Sequence, residues 1–172
     1  MRAYLDEGAF DAAAKFADDS LARLEGKATV PTFASTECRL LELAIRAHIG
    51  RGHLSEAVRY LGWLRDLATR VDRPTTLGYL WRAEGALARA DGRAREAIDE
   101  LRRSAETWER IGWRCEELES REMLASAAEA AGKAEDAKSA GRRSDALRLE
   151  VGLEVRAERA EKTARSEPIA VG

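Results

Sequence analysis

The sequence predicts an all-α fold, an α-solenoid of stacked antiparallel helix hairpins. Three observations predict it. The first is composition: of 172 residues, 33 are Ala and 24 are Arg, Asn and Gln are absent, and there are three prolines. Ala is the best helix former, with Arg, Leu and Glu close behind, whereas a β-rich chain would draw on β-branched residues and turn amides. The second is a repeat. Gly8, Gly52, Gly92 and Gly132 are spaced 44, 40 and 40 apart, and five residues after each stands an alanine: Ala13, Ala57, Ala97 and Ala137. A glycine there ends a helix in a left-handed turn that a Cβ would strain. The alanine lets two helices approach where a larger side chain would push them apart. The third is apolar periodicity near 3.6 between these markers, which gives each hairpin a face that only a neighbouring hairpin can bury.

The elements follow in order. A stub, 1–7, precedes Gly8, and a helix runs over about 10–24. The stretch 26–35 is the longest break and accounts for the four extra residues of the first interval. The second unit has helices near 36–50, with Cys38, Leu41, Ala44, Ile45 and His48 on one stripe, and 55–71, with Val58, Leu61, Leu64 and Leu67 apolar. The third has 76–90 and 94–111, the fourth 114–131 and 134–151. Pro31 and Pro74 are expected in loops between units, where no helix continues. The array therefore spans 1–152, in repeats near 1–34, 35–74, 75–113 and 114–152, and 153–172 reads as a charged capping helix with a frayed end. Phe10, Ala13, Phe16 and Ala17 are expected to lack a covering helix on one side, to be met by more repeats, another copy or another chain.

The charge count narrows the function. With 29 basic and 31 acidic residues the net charge is −2, which argues against direct nucleic-acid binding. Cys38 and Cys115 are far apart and form no disulfide framework, as expected of a cytoplasmic protein. No apolar run approaches the roughly 18 residues of a membrane span, and the first ten residues have no signal-peptide core.

With the helices placed, the pattern resembles the tetratricopeptide repeat family. Trp81, Gly85, Gly92, Ala97 and Leu101 fall at that family's tryptophan, small, turn-glycine, alanine and large apolar positions, and Leu41, Ile45, Gly52, Ala57 and Leu61 repeat them. Unit four departs, with Arg121 and Gly141 at the tryptophan and large apolar positions. The period near 40, longer than the family's 34, is similar to the helical-repeat region of large ATP-dependent bacterial transcriptional regulators. The resemblance implies a right-handed superhelix whose first helices line a concave groove. It also implies a non-enzymatic scaffold in a bacterial regulatory or signalling protein, the groove binding a partner peptide or helix.

Mapped from the turn glycines, that groove would be lined by Arg39, Glu42, Arg46 and Ile49 in unit two, Tyr79, Arg82, Ala86 and Arg89 in unit three, and Glu119, Glu122, Ser126 and Glu129 in unit four, each set at helical spacing. Arginines so placed suit an acidic partner, since they hold carboxylates bidentately; equally, such faces pair with themselves and stay solvated. The absence of asparagine excludes the usual carboxylate clamp of the family. Catalysis is not expected. His48 and His53 do not share a helical face, Cys38 stands ten residues from His48, roughly 15 Å along a helix, and no phosphate-binding or dinucleotide fingerprint is present. No metal and no cofactor is therefore expected. Trp81 is expected in the core and Trp108 and Trp113 at the joint around Gly112, leaving Trp63 as the exposed tryptophan. Two further readings stand beside the scaffold: self-association through the first hairpin and last helix, and small-molecule effector sensing by the groove arginines.

Overall fold

Six glycines at the expected helix ends, Gly8, Gly52, Gly92, Gly112, Gly132 and Gly152, have φ between 67° and 77°, the left-handed region in which a side chain costs about 1–2 kcal/mol. The turns they form share one hydrogen-bond pattern. At Gly52 the glycine N–H donates to the Ile49 carbonyl (2.9 Å) and the next N–H, of His53, to the His48 carbonyl (2.9 Å). Both bonds recur at Gly8, Gly92, Gly112 and Gly132. This is the Schellman arrangement, which satisfies carbonyls that the ending helix would leave bare.

The computed structural model describes residues 2–23 and 34–152. Its helices are α1 (Arg2–Asp6), α2 (Phe10–Ala22), α3 (Ala34–Gly50), α4 (Leu54–Val71), α5 (Pro74–Ala90), α6 (Ala94–Ile111), α7 (Arg114–Ala130) and α8 (Ala134–Glu150). No strand occurs among the described residues, so the chain is all-α. None of these helices is long and apolar enough to cross a membrane. The tail expected as a cap, 153–172, and most of the break at 26–35, including Pro31, lie outside the described residues.

Each helix packs on the next, and α3 packs also on α5. Three contacts fix that second pairing: Ser35 with Thr75 (3.1 Å), Arg39 with Tyr79 (3.3 Å) and Glu42 with Arg82 (3.1 Å), each separated by 40 residues. A constant separation means parallel helices in register, one repeat apart. The pairing α5–α7 differs: Arg82 meets Glu116 and Glu119, not Glu122 at the same 40-residue spacing. The junctions feeding the two helices are also built differently. Gly112 makes a Schellman turn into α7, whereas α4 ends at Asp72 (φ 42°) with one bond to the Ala68 carbonyl.

The small-residue positions do what their spacing predicts in unit three. A Cβ on Gly85 of α5 would come within 2.6 Å of Leu101 and 3.2 Å of the Ala97 carbonyl of α6. Ala13, Ala57 and Ala97 are fully buried, and Ala137 nearly so. Three expectations change. Pro74 is not in a loop but opens α5, where its missing N–H costs nothing and its fixed φ suits the helix. Val58 is exposed, because Leu61 and Leu64 already fill the inner face of α4. Trp81 is only partly buried, and the tryptophan at full depth is Trp108.

Candidate functional site

The residues expected to line an open groove make, in large part, a buried ion cluster. Arg82 and Glu42 are fully buried, Glu119 and Glu116 nearly so. Nε and Nη2 of Arg82 donate to the two Glu42 oxygens (3.1 and 3.3 Å), Nη2 also donates to Glu116 Oε2 (2.8 Å), Nη1 donates to the Glu116 carbonyl (3.4 Å), and Nη1 lies 3.4 Å from Glu119. Arg46 bonds Glu42 (3.2 Å) and Glu119; Arg39 pairs with Glu116. Among the described residues three arginines thus face three glutamates, and their formal charges cancel. Burial disfavours the charge on Arg46, but Glu42 and Glu119 outweigh it and raise its pKa further. Tyr79 is buried under Arg82, whose guanidinium sits 5.3 Å from its ring centre. Burial raises the Tyr79 pKa, opposed by its hydrogen bond from Arg39.

Of the residues expected to line the groove, Glu42, Tyr79 and Arg82 are thus buried, while Arg39 and Arg46 are partly buried and paired with glutamates. α3 and α5 lie in parallel register, so Glu42 and Arg82 face each other across the helix pair, and α7 brings Glu116 and Glu119 over the remaining guanidinium positions. Glu122 turns instead to α8, where it accepts from Arg148 (2.8 Å). Glu129 and Arg89 are exposed at the ends of α7 and α5. Arg121, standing where the resembled family has its tryptophan, pairs with Glu109 (2.8 Å) and approaches buried Glu117 (3.8 Å).

Below the ion cluster the first helices leave a cleft of about 410 Å³. Leu5, Phe10, Ile49, Ala86 and Met123 form its walls, and Arg46 and Arg89 are its only charged lining among the described residues. Gly50, also in the lining, lies against the Phe10 ring with no room for a Cβ. Arg89 has no ion-pair partner among the described residues. Leu5, Phe10 and Met123 were missed by the groove mapping. The first two belong to α1 and α2, and Met123 joins because α7 is out of the 40-residue register.

His48 is buried, with Nε2 3.1 Å from Asp18, and the same carboxylate oxygen accepts from the Tyr60 hydroxyl (2.5 Å). Burial, then that bond, pushes the Tyr60 pKa up to about 12. The His53 ring stacks beside His48 at 6.3 Å, and no metal-ligand cluster occurs among the described residues. Trp63 is 38 % exposed, and Trp113, 43 % exposed, stacks on Trp108. Burial raises the Cys38 pKa to about 12, with Glu37 adding to it, whereas Cys115 is exposed. Because the thiolate is the reactive form, a maleimide at pH 8 is expected to label Cys115 quickly and Cys38 only after denaturation. Equal rates for both would contradict the buried position of Cys38.

No protein-family model, curated protein or solved structure matches this chain.

Proposed function

We propose that the chain is a non-enzymatic interaction scaffold, a tetratricopeptide-like solenoid in which the cleft on the first helices holds a segment of a partner protein. The observation that carries this reading is the lining of the cleft: apolar walls from α1, α2, α3, α5 and α7, two arginines and, among the described residues, no acidic side chain. Such a surface suits a bulky apolar residue with a carboxylate beside it, the apolar part in the cleft and the acid on Arg89. Of the two arginines, Arg46 already faces Glu42 and Glu119, which leaves Arg89 for the partner's acid; Arg39 and Arg82 are paired within the cluster and do not line the cleft. The solenoid reading draws on the parallel register of α3 and α5 and on the turn pattern repeated at the glycines.

Selection of displayed random peptides against the full chain tests it. Binders are expected to carry an acidic residue next to a large apolar one, and Arg89→Glu is expected to weaken them about tenfold or more, the worth of one charge-assisted hydrogen bond turned to repulsion. Arg89 is exposed, so the variant keeps the fold. Binders indifferent to both Arg89→Glu and Met123→Glu would remove the cleft from the account.

A further inference from the structure

We infer that the outer face of α2 is a self-pairing surface, on which a second copy of this chain docks its own α2 antiparallel about a two-fold axis. The inner face of α2 is spent on the fold: Ala13, Ala14, Ala17 and Leu21 are buried. Among the described residues its helix neighbours are α1 and α3, while Asp18 reaches Tyr60 and His48. No described helix packs on the opposite face. It carries Ala12, Lys15, Phe16, Asp19, Ala22 and Arg23, all exposed, with Phe16, at the middle of the helix, 50 % exposed. Lys15, Asp19 and Arg23 have no ion-pair partner among the described residues, and Asp11, at the edge of this face, pairs with Arg51 (2.7 Å).

The charges say which occupant fits. Asp11, Lys15, Asp19 and Arg23 alternate in sign at intervals of four. Set against its own reverse, that series is complementary at every step. With the two-fold axis at the level of residue 17, Lys15 falls opposite Asp19 of the second copy and Asp19 opposite its Lys15. Arg23 falls opposite Asp11, and Ala12 opposite Ala22. The small Ala12 and Ala22 let the helices approach at both ends, and the two Phe16 rings meet across the axis, removing the largest exposed apolar side chain of the helix from water. A two-fold contact must be self-complementary in this sense. A parallel docking would set Lys15 on Lys15 and Asp19 on Asp19.

Sedimentation equilibrium of the full chain over a wide concentration range tests the pairing, with circular dichroism to verify that each variant stays folded. The expected result is a monomer–dimer equilibrium. Lys15→Asp alone, or Asp19→Lys alone, introduces two repulsive contacts per dimer and is expected to raise Kd about tenfold or more. Equimolar mixing of those two variants is expected to restore dimer, because one copy then carries an acid at both positions and the other a base at both, so every facing pair is again of opposite sign. The double swap within one chain is expected to restore it as well. A monomer at every concentration, a dimer indifferent to Lys15→Asp, or a mixture that stays monomeric would each overturn the inference.

Discussion

Replacing Arg82 with Ala is expected to destabilise the fold by about 3–5 kcal/mol, the usual cost of removing one partner from a buried ion pair. The guanidinium makes four hydrogen bonds and one further ion contact, all to α3 and α7. Without it, Glu42, Glu116 and Glu119 face one another across a buried interface with one guanidinium fewer to balance them, and α7 loses its tie to Arg82 of α5. The loss comes from stranded carboxylates rather than from a missing attraction. Arg82→Met together with Glu42→Leu is therefore expected to be less damaging than Arg82→Met alone, since two apolar groups can replace a buried pair at little cost. Urea denaturation of the four chains measures both claims. A loss below about 1 kcal/mol for Arg82→Ala would mean a solvated surface pair and would put Arg82 back on an open groove.

The cluster also sets what a partner can reach. An acidic group approaching Arg82 would have to displace three carboxylates that are already in place. Arg89 carries no such competition, so the recognition proposed above depends on the cleft end of the first helices and not on their whole length.

Parts of this arrangement were legible in the sequence. The turns were, because a left-handed φ selects glycine strongly and the selection repeats at a fixed interval. The α3–α5 half of the ion cluster was latent in the same interval: Glu42 and Arg82, 40 apart, have opposite sign, and equivalent positions of parallel neighbours touch. The other half was not. Glu116, Glu117, Glu119 and Glu122 all lie on α7, and any of them could have faced Arg82 under some small rotation or slide of that helix. The slide depends on how α6 hands over to α7 at Gly112, which no local pattern encodes. Val58 and Trp81 show the same limit in the apolar pattern. Periodicity selects a stripe, but the helix beyond decides which edge of the stripe is covered.

Trp108→Ala is expected to cost about 3–5 kcal/mol, in the range of large aromatic truncations in cores, and its effect should reverse the sign of a second substitution. Trp108 is fully buried. Its ring lies on Gly78 of α5, where an added Cβ would sit 2.5 Å from Cζ2. Tyr79 meets it edge-on at 4.8 Å and Trp113 stacks on it at 5.5 Å. Its indole N–H donates to Ser104 Oγ (3.1 Å), which itself donates to the Gly78 carbonyl (2.8 Å), leaving the Ser120 hydroxyl at 2.9 Å as a second donor to Ser104. Gly78 is thus a glycine in mid-helix because the indole occupies the space of its side chain. In the native chain Gly78→Ala is expected to destabilise by about 1–3 kcal/mol, the range for overpacking. In the Trp108→Ala background the clash is gone and only helix propensity remains, so the same Gly78→Ala is expected to stabilise by up to about 1 kcal/mol. A double-mutant cycle in urea reads the coupling directly. If Gly78→Ala costs the same in both backgrounds, Trp108 does not lie on Gly78, and the packing of α5 against α6 is other than described.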